Sequence, residues 1–532
     1  MTNEEQALGV LEAVGVLRDT AAAPARNATL EAKALAGGNE SDLRADLARL
    51  GIERADTFPI IEGFFEVSLP DTSDEGRVGW LSELARRMSD NNGAFRYDEV
   101  PSESVTGASE AADPAVFETM GLGLGDASPP GSTAWALDEI NAPKVWAAGY
   151  DGAGVRVGVI DTGWADHPET DDCYDFDRQR NFVGDRDGKK DAADRFSRDV
   201  IRPSAGHGTL VASVCASRGG VTPTGTDPAL TVTGAAPAAT LVPIRAIRSV
   251  VDLRQTRLAA ALAYAAEAGP EGADCDVIAM ALGGPKTHRS VEAALRRAAA
   301  AGIVTVCAAG NIWPLVVSPA RLSKDGLCCA VAAVTHEGGP WRKTAKGPTV
   351  TVSAPGAQVW GSRVPDGTTP RQRIRGGNTT INRWSEGTTL ATALTAGLAA
   401  LWVQSHGGRK VLRARASAMG TTVQALFNAA VTHGLTPPDA WRRGERGMGA
   451  GIVDAQRLLD APLTAPQKRG AAMETFSLDA PMAPGPSENA LEAEREWRRH
   501  HAAVRERLTE LGATPKPMPE PSPSLAAADG LS

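Results

Sequence analysis

Val157-Gly158-Val159-Ile160-Asp161-Thr162-Gly163 runs a short apolar stretch directly into a carboxylate and a glycine. A run this brief, β-branched at three positions and apolar on both faces, reads as a strand covered on both sides, the habit of parallel sheets. The same grammar recurs along the chain. Val155 to Ile160, Leu241 to Ile247, Val277 to Leu282, Ile303 to Ala308, Cys328 to Val334 and Thr349 to Val352 read as strands. His207 to Ser217, Leu253 to Ala268 and Val291 to Ala301 carry helical spacing between them. Strands alternating with helices imply an α/β fold with a mostly parallel sheet, right-handed crossovers and helices on both faces, a three-layer arrangement. In such sheets the functional groups gather at the carboxyl ends of the strands, where Asp161 stands. Gly152-Ala153-Gly154 is not a dinucleotide loop, because these glycines precede the strand and Val157 stands where the third glycine belongs.

The chain has 532 residues, 42% of them hydrophobic, enough for one large core with appendages. Residues 1–50, rich in Ala, Leu and charge, are expected to form a helical extension, and residues 51–102 a small α+β unit. Within that unit Phe64 to Leu69 and Phe95 to Tyr97 read as strands and Trp80 to Arg87 as a helix. Residues 103–133 shift to Ser, Gly, Pro and acidic side chains and read as a linker. Residues 134–463 form the main domain, and 464–532 comprise a charged helix over Glu488 to Leu511 and a Pro-rich tail expected to be disordered.

A net charge of -9 argues against a nucleic-acid binder, which would concentrate Lys and Arg against phosphates. No run approaches the ~18 apolar residues of a membrane span, and the first residues lack the basic-then-apolar pattern of a secretory signal. A cytoplasmic location is the resulting expectation. Six cysteines stand at 173, 215, 275, 307, 328 and 329 without CxxC spacing. Reduced, core-packed thiols are expected.

Hydrolysis of an acyl bond at neutral pH asks for a nucleophile, a base, a carboxylate to orient the base and donors for the oxyanion. Asp161 can hold a histidine by its ring N–H, although alone it would serve equally as a Mg²⁺ ligand or a helix cap. His207, in Gly206-His207-Gly208-Thr209, opens an apolar helix between two glycines that permit close approach of other backbone. His167, in Asp166-His167-Pro168, reads as structural. Asn311 follows a strand in Ala308-Ala309-Gly310-Asn311, placed either to donate to an oxyanion or to form a turn. Thr389 lies in Gly387-Thr388-Thr389-Leu390-Ala391-Thr392-Ala393, at the start of a long apolar helix.

Taken together and in this order, these stretches resemble the subtilase family of serine proteases, whose chain order is Asp, His, Ser. Trp135-Ala136-Leu137-Asp138, Ala281-Leu282-Gly283-Gly284, Val352-Ser353-Ala354-Pro355-Gly356 and Gly449-Ala450-Gly451-Ile452-Val453-Asp454-Ala455 agree, so the likeness covers about Trp135 to Leu463. The resemblance implies a subtilisin-like endopeptidase with polypeptide substrates. Asp161 would orient His207 as base and then acid, and Asn311 would donate to the oxyanion. Leu282, Gly283 and Gly284 would pair with extended substrate backbone. Residues 51–102 would be a prodomain-like unit able to occupy the cleft as an inhibitor. No cofactor is required. A structural calcium ion is allowed but assigned no residues, Asp171, Asp172, Asp175 and Asp177 forming an acidic loop of the solvated kind.

Two positions depart from the family: Thr389 replaces the nucleophilic serine and Ala393 the usual proline. Threonine keeps the hydroxyl but adds a methyl that restricts χ1. Ser385, four residues earlier, precedes the helix and is poorly placed to substitute. Two readings follow, a peptidase with an Asp-His-Thr triad and a pseudoprotease that binds extended peptide segments.

Overall fold

The computed structural model describes residues 27–70, 94–100 and 130–465, apart from short internal stretches of which the longest are 184–189, 195–203, 220–230 and 365–381. The expected helices at 80–87 and 488–511, most of the linker and nearly all of the tail lie outside the described residues.

The N-terminal unit begins earlier than its composition suggests. Asn27–Ala34 is a strand (β1), followed by α1 (Glu40–Arg49), β2 (Asp56–Ile61), β3 (Phe64–Pro70) and β4 (Phe95–Val100). The antiparallel sheet has the order β2-β3-β1-β4, so β1 is internal to it. The sheet therefore crosses the boundary expected at 51, and the described part of the segment 1–50 contains a strand as well as a helix. Alanines hid the alternation: Leu30, Ala32 and Ala34 face inward against Leu43 and Leu47 of α1 and against Phe65, Val67 and Phe95. α1 is fixed by a capping box in which Asn39 and Asp42 bond each other's backbone N–H.

The main domain opens with α2 (Trp135–Glu139) and α3 (Ala142–Ala147), then runs β5 (Arg156–Asp161), β6 (Arg180–Asn181), α4 (His207–Ala216), β7 (Thr240–Arg245), α5 (Thr256–Ala266), β8 (Val277–Met280), α6 (Arg289–Ala300), β9 (Val304–Ala308), β10 (Cys329–Val334) and β11 (Val352–Pro355). Seven parallel strands take the order β11-β10-β9-β8-β5-β7-β6. The chain passes from β5 to β6 and β7 on one side and then crosses back to β8 on the other, and it is beside such a reversal, at the carboxyl ends of the strands, that open α/β sheets place their sites. The last strand starts later than its sequence suggests. Val350 is held in a turn to Gly347 before pairing begins, and the strand ends at Pro355, tolerated because β11 lies at the sheet edge.

After the hairpin β12 (Val359–Ser362) and β13 (Asn382–Ser385) comes α7 (Thr388–Ser405), buried from Thr388 to Val403. It is apolar all round because it runs through the core, with Trp402 stacked edge-on against Phe427 at 5.4 Å. A Cβ on Gly397 would come within 2.6 Å of Ala235 Cβ and 3.0 Å of the Cys215 carbonyl, so only glycine lets α7 pack this closely on the end of α4. All six cysteines are buried and unpaired.

Candidate active site

Asp161 is the last residue of β5 and fully buried. Its Oδ1 accepts from the Thr162 N–H at 2.7 Å and lies 2.8 Å from His207 Nδ1. A carboxylate only accepts, so Nδ1 carries the proton and Nε2 is left as an acceptor. Thr389 Oγ1 lies 3.2 Å from that Nε2. Three residues drawn from positions 161, 207 and 389 thus form one hydrogen-bonded line.

Local structure explains each placement. Gly206 takes φ 71° and turns the chain abruptly into α4, so His207 emerges at its first position. A Cβ on Gly208 would sit 2.0 Å from the Gly163 carbonyl oxygen, so this glycine is what brings the His207 and Asp161 segments into contact. Gly387, at φ 146°, turns β13 into α7, and Thr389 stands in the first turn of that helix. His207 and Thr389 are 8% and 7% exposed, so the pair is largely shielded from solvent.

Asn311 Oδ1 accepts from the Thr388 backbone N–H at 2.9 Å and from its hydroxyl at 2.8 Å. A backbone N–H can only donate, so the amide orientation is fixed and Nδ2 points elsewhere. It points at the cleft: a Cβ built on Gly387 would lie 3.3 Å from Nδ2 and 3.4 Å from Thr389 Oγ1. The empty space beside Gly387 is therefore flanked by hydroxyl and donor at once.

The segment Leu282 to Gly284 is less open than an edge awaiting a substrate strand. The Gly283 N–H donates to the Val250 carbonyl at 3.1 Å, and Gly284 exchanges both backbone bonds with Ser318 at 2.9 Å. A Cβ on Gly283 would meet Val317 Cγ2 at 2.2 Å. Neighbouring chain thus pairs the N–H groups of Gly283 and Gly284 and the Gly284 carbonyl.

Sequence reasoning missed Thr388, which sets the Asn311 amide, and Asp194, whose Oδ2 accepts from Thr162 Oγ1 at 2.9 Å and from the Gly206 N–H at 2.8 Å. Thr388 was signalled by its place beside Thr389. Asp194 had no signal, since its partners lie 12 and 32 residues away. Ser385 pairs with Val359 inside the hairpin. His167 is buried, its Nδ1 accepting from the Glu169 N–H at 3.2 Å.

Behind the site Glu169 is buried, its carboxyl pushed up to about 7 by desolvation although Asn382, the Val232 backbone and Ser217 pull it down. Burial likewise pushes the Cys173 thiol up to about 12, which makes it unreactive. The acidic loop is turned to local partners: Asp171 accepts from the His167 N–H, Asp172 pairs with Arg218 at 3.2 Å, and Asp175 lies 3.6 Å from Arg178. Among the described residues no three His, Cys, Asp or Glu side chains converge as metal ligands. The carboxylates of this loop are not gathered into one ligand set.

Major intracellular serine protease of Bacillus subtilis (strain 168) is 32% identical over 177 residues, 32% of this chain and 47% of that protein. Subtilisin DY of Bacillus licheniformis is 31% identical over 278 residues, 51% of this chain and 85% of that protein. The chain thus spans about half the length of the first of these relatives. A solved protease from Pseudoalteromonas arctica PAMC 21717 superposes with a TM-score of 0.46 at 23% identity, over 63% of this chain and 99% of that one. The subtilase family profile matches residues 152–443, which span β5, α4 and the start of α7 with all four site residues, and the chain belongs to the subtilase family.

Proposed function

We propose that this chain is an endopeptidase that hydrolyses peptide bonds with Thr389 as nucleophile. The observation that carries this reading is the 3.2 Å contact between Thr389 Oγ1 and His207 Nε2, on a ring whose other nitrogen is held by Asp161 at 2.8 Å. In the proposed reaction Thr389 Oγ attacks the scissile carbonyl carbon while its proton passes to Nε2. Asn311 Nδ2 donates to the oxyanion beside Gly387, and Asp161 stabilises the imidazolium. His207 then protonates the leaving amine, and water, deprotonated by the same Nε2, releases the acyl group from Thr389. Removing one oxyanion donor of this kind costs about 10²–10³ in kcat.

The N-terminal unit supports self-inhibition. Glu66 of β3 accepts from Thr256 Oγ1 at 2.6 Å and from Arg257 at 2.9 Å, at the start of α5. Glu31 of β1 accepts from the Ser290 N–H at 3.4 Å and from its hydroxyl, at the start of α6. Glu31 thereby caps the start of α6, and Glu66 bonds two side chains at the start of α5, both where helix dipoles favour negative charge.

A second reading, a pseudoprotease, is favoured by the Val250 carbonyl bound to Gly283 and by the extra methyl of Thr389. Hydrolysis of a denatured protein by the wild type, Thr389→Ser, Thr389→Ala and His207→Ala separates the two. Cleavage by the wild type that is lost in both the Thr389→Ala and His207→Ala variants supports the peptidase. Cleavage by Thr389→Ser alone supports the pseudoprotease.

A further inference from the structure

Asp161 is held at only one of its two oxygens. Oδ1 takes both hydrogen bonds, from the Thr162 N–H and from His207, whereas Oδ2 is buried with no hydrogen-bond partner among the described residues. Its own hydrogen bonds therefore fix one oxygen of the carboxylate and leave the other unanchored. The restraint has to come from the surrounding backbone.

That backbone is tied together at Asp194, which is 3% exposed. Its Oδ2 accepts from the hydroxyl of Thr162, the residue after Asp161, and from the N–H of Gly206, the residue before His207. The same Thr162 hydroxyl accepts from the Gly208 N–H at 3.2 Å, on the other side of His207. One hydroxyl and one carboxylate oxygen thus close a ring through the neighbours of both Asp161 and His207. The Asp194 N–H also donates to the Trp164 carbonyl at 2.8 Å, and a Cβ on Gly163 would strike the Ala192 carbonyl oxygen at 2.0 Å, so residues 192–194 cradle the turn after β5.

We infer that Asp194, acting through Thr162 and the Gly206 amide, is a positioning residue that holds the His207 ring against Asp161. Its bonds run to the segments that flank Asp161 and His207, so its effect is on the alignment of the base. The inference rests on the reading of Asp161, His207 and Thr389 as one reacting line, and it is tested by a signal that does not need turnover.

The test is the far-downfield proton spectrum of the full chain at low temperature. The Nδ1–H held by Asp161 gives a resonance there that His207→Ala removes. Thr162→Ser, which keeps the hydroxyl, should retain it. Asp194→Asn and Thr162→Val should broaden or lose it while thermal unfolding remains cooperative. Thr162→Val decides the matter if Asp194→Asn fails to fold. If Thr389→Ser hydrolyses protein, adding Asp194→Asn should lower kcat by about 10- to 100-fold, the scale of a small misplacement of a catalytic group, with KM within about 3-fold. A resonance missing from the wild type, or unchanged in both Asp194→Asn and Thr162→Val, overturns the inference. Absence of hydrolysis with the resonance behaving as described defeats the peptidase reading and leaves the role of Asp194 standing.

Discussion

In the proposed reaction one methyl group limits how fast Thr389 can work, and its neighbours in α7 show how its hydroxyl comes to be directed. Thr392 and Thr395 bond their hydroxyls back to the carbonyls of Thr388 and Ala391, both at 2.8 Å, the usual habit of threonine inside a helix. Thr389 stands too early for that, since the residue four before it belongs to β13, and its hydroxyl turns to His207 instead. The methyl adds bulk on the same Cβ that serine would not carry. Crowding of this kind costs about 1–3 kcal/mol, so Thr389→Ser should raise kcat/KM by about 5- to 150-fold, read in a peptide hydrolysis assay. Equal or lower activity in the serine variant would show that the methyl is accommodated. Gly208→Ala tests the other side of the line. A Cβ forced to 2.0 Å from the Gly163 carbonyl must part the Asp161 and His207 segments, so the variant should lose about 1–3 kcal/mol of stability, measured by denaturant unfolding, together with any hydrolysis. Asp161, His207 and Asn311 were legible in the sequence because each stands where an apolar run meets glycine. Asp194 was not, because nothing local marks a residue whose partners are assembled by the fold.

At the scale of elements, the parallel strands and their helices were legible because each is a short apolar run between turn signals, whereas β1 was hidden. Its inward residues are Leu30, Ala32 and Ala34, and alanine suits a helix as well as it suits the inner face of a sheet. Its outward Glu31 made the stretch look exposed, yet that carboxylate is 1% exposed because the main domain covers it. Glu31 and Glu66 act together with an apolar contact in which Ile60 and Phe64 join the core around α5 and α6. Replacing a cap of this type costs about 0.5–2 kcal/mol. Glu31→Gln with Glu66→Gln should therefore speed hydrogen exchange of the first-turn amides of α6 by about 2- to 30-fold, with the centre of β8 unchanged. Exchange that is the same in the double variant would mean that apolar packing alone holds the unit in place.

Across the whole molecule, Glu169 joins the pieces that carry the triad. It lies in the loop after β5, its Oε1 accepts from Asn382 of β13 at 3.0 Å, and its Oε2 lies 3.3 Å from Ser217 Oγ at the end of α4. Those elements lead to Asp161, Thr389 and His207 respectively, so one buried carboxyl sits behind all three. Burial dominates its chemistry and raises its protonation midpoint from 4.5 to about 7, with Asp172 adding to the rise and Asn382, the Val232 backbone and Ser217 opposing it. Between those two values the folded chain binds more protons than the unfolded chain, so stability falls as pH rises through this window and levels off above it. The loss is on the order of 1–3 kcal/mol by pH 8. Glu169→Gln mimics the protonated form and has nothing to release. Its unfolding free energy should match the wild type near pH 5 and exceed it by about that amount near pH 8, with the slope of the difference confined to the interval between. Parallel pH profiles for the two proteins would place the carboxylate in a better solvated setting than its burial implies. A variant weaker at both ends would show instead that the contacts with Asn382 and Ser217 depend on the ionised carboxylate, and that the charge itself binds the three segments together.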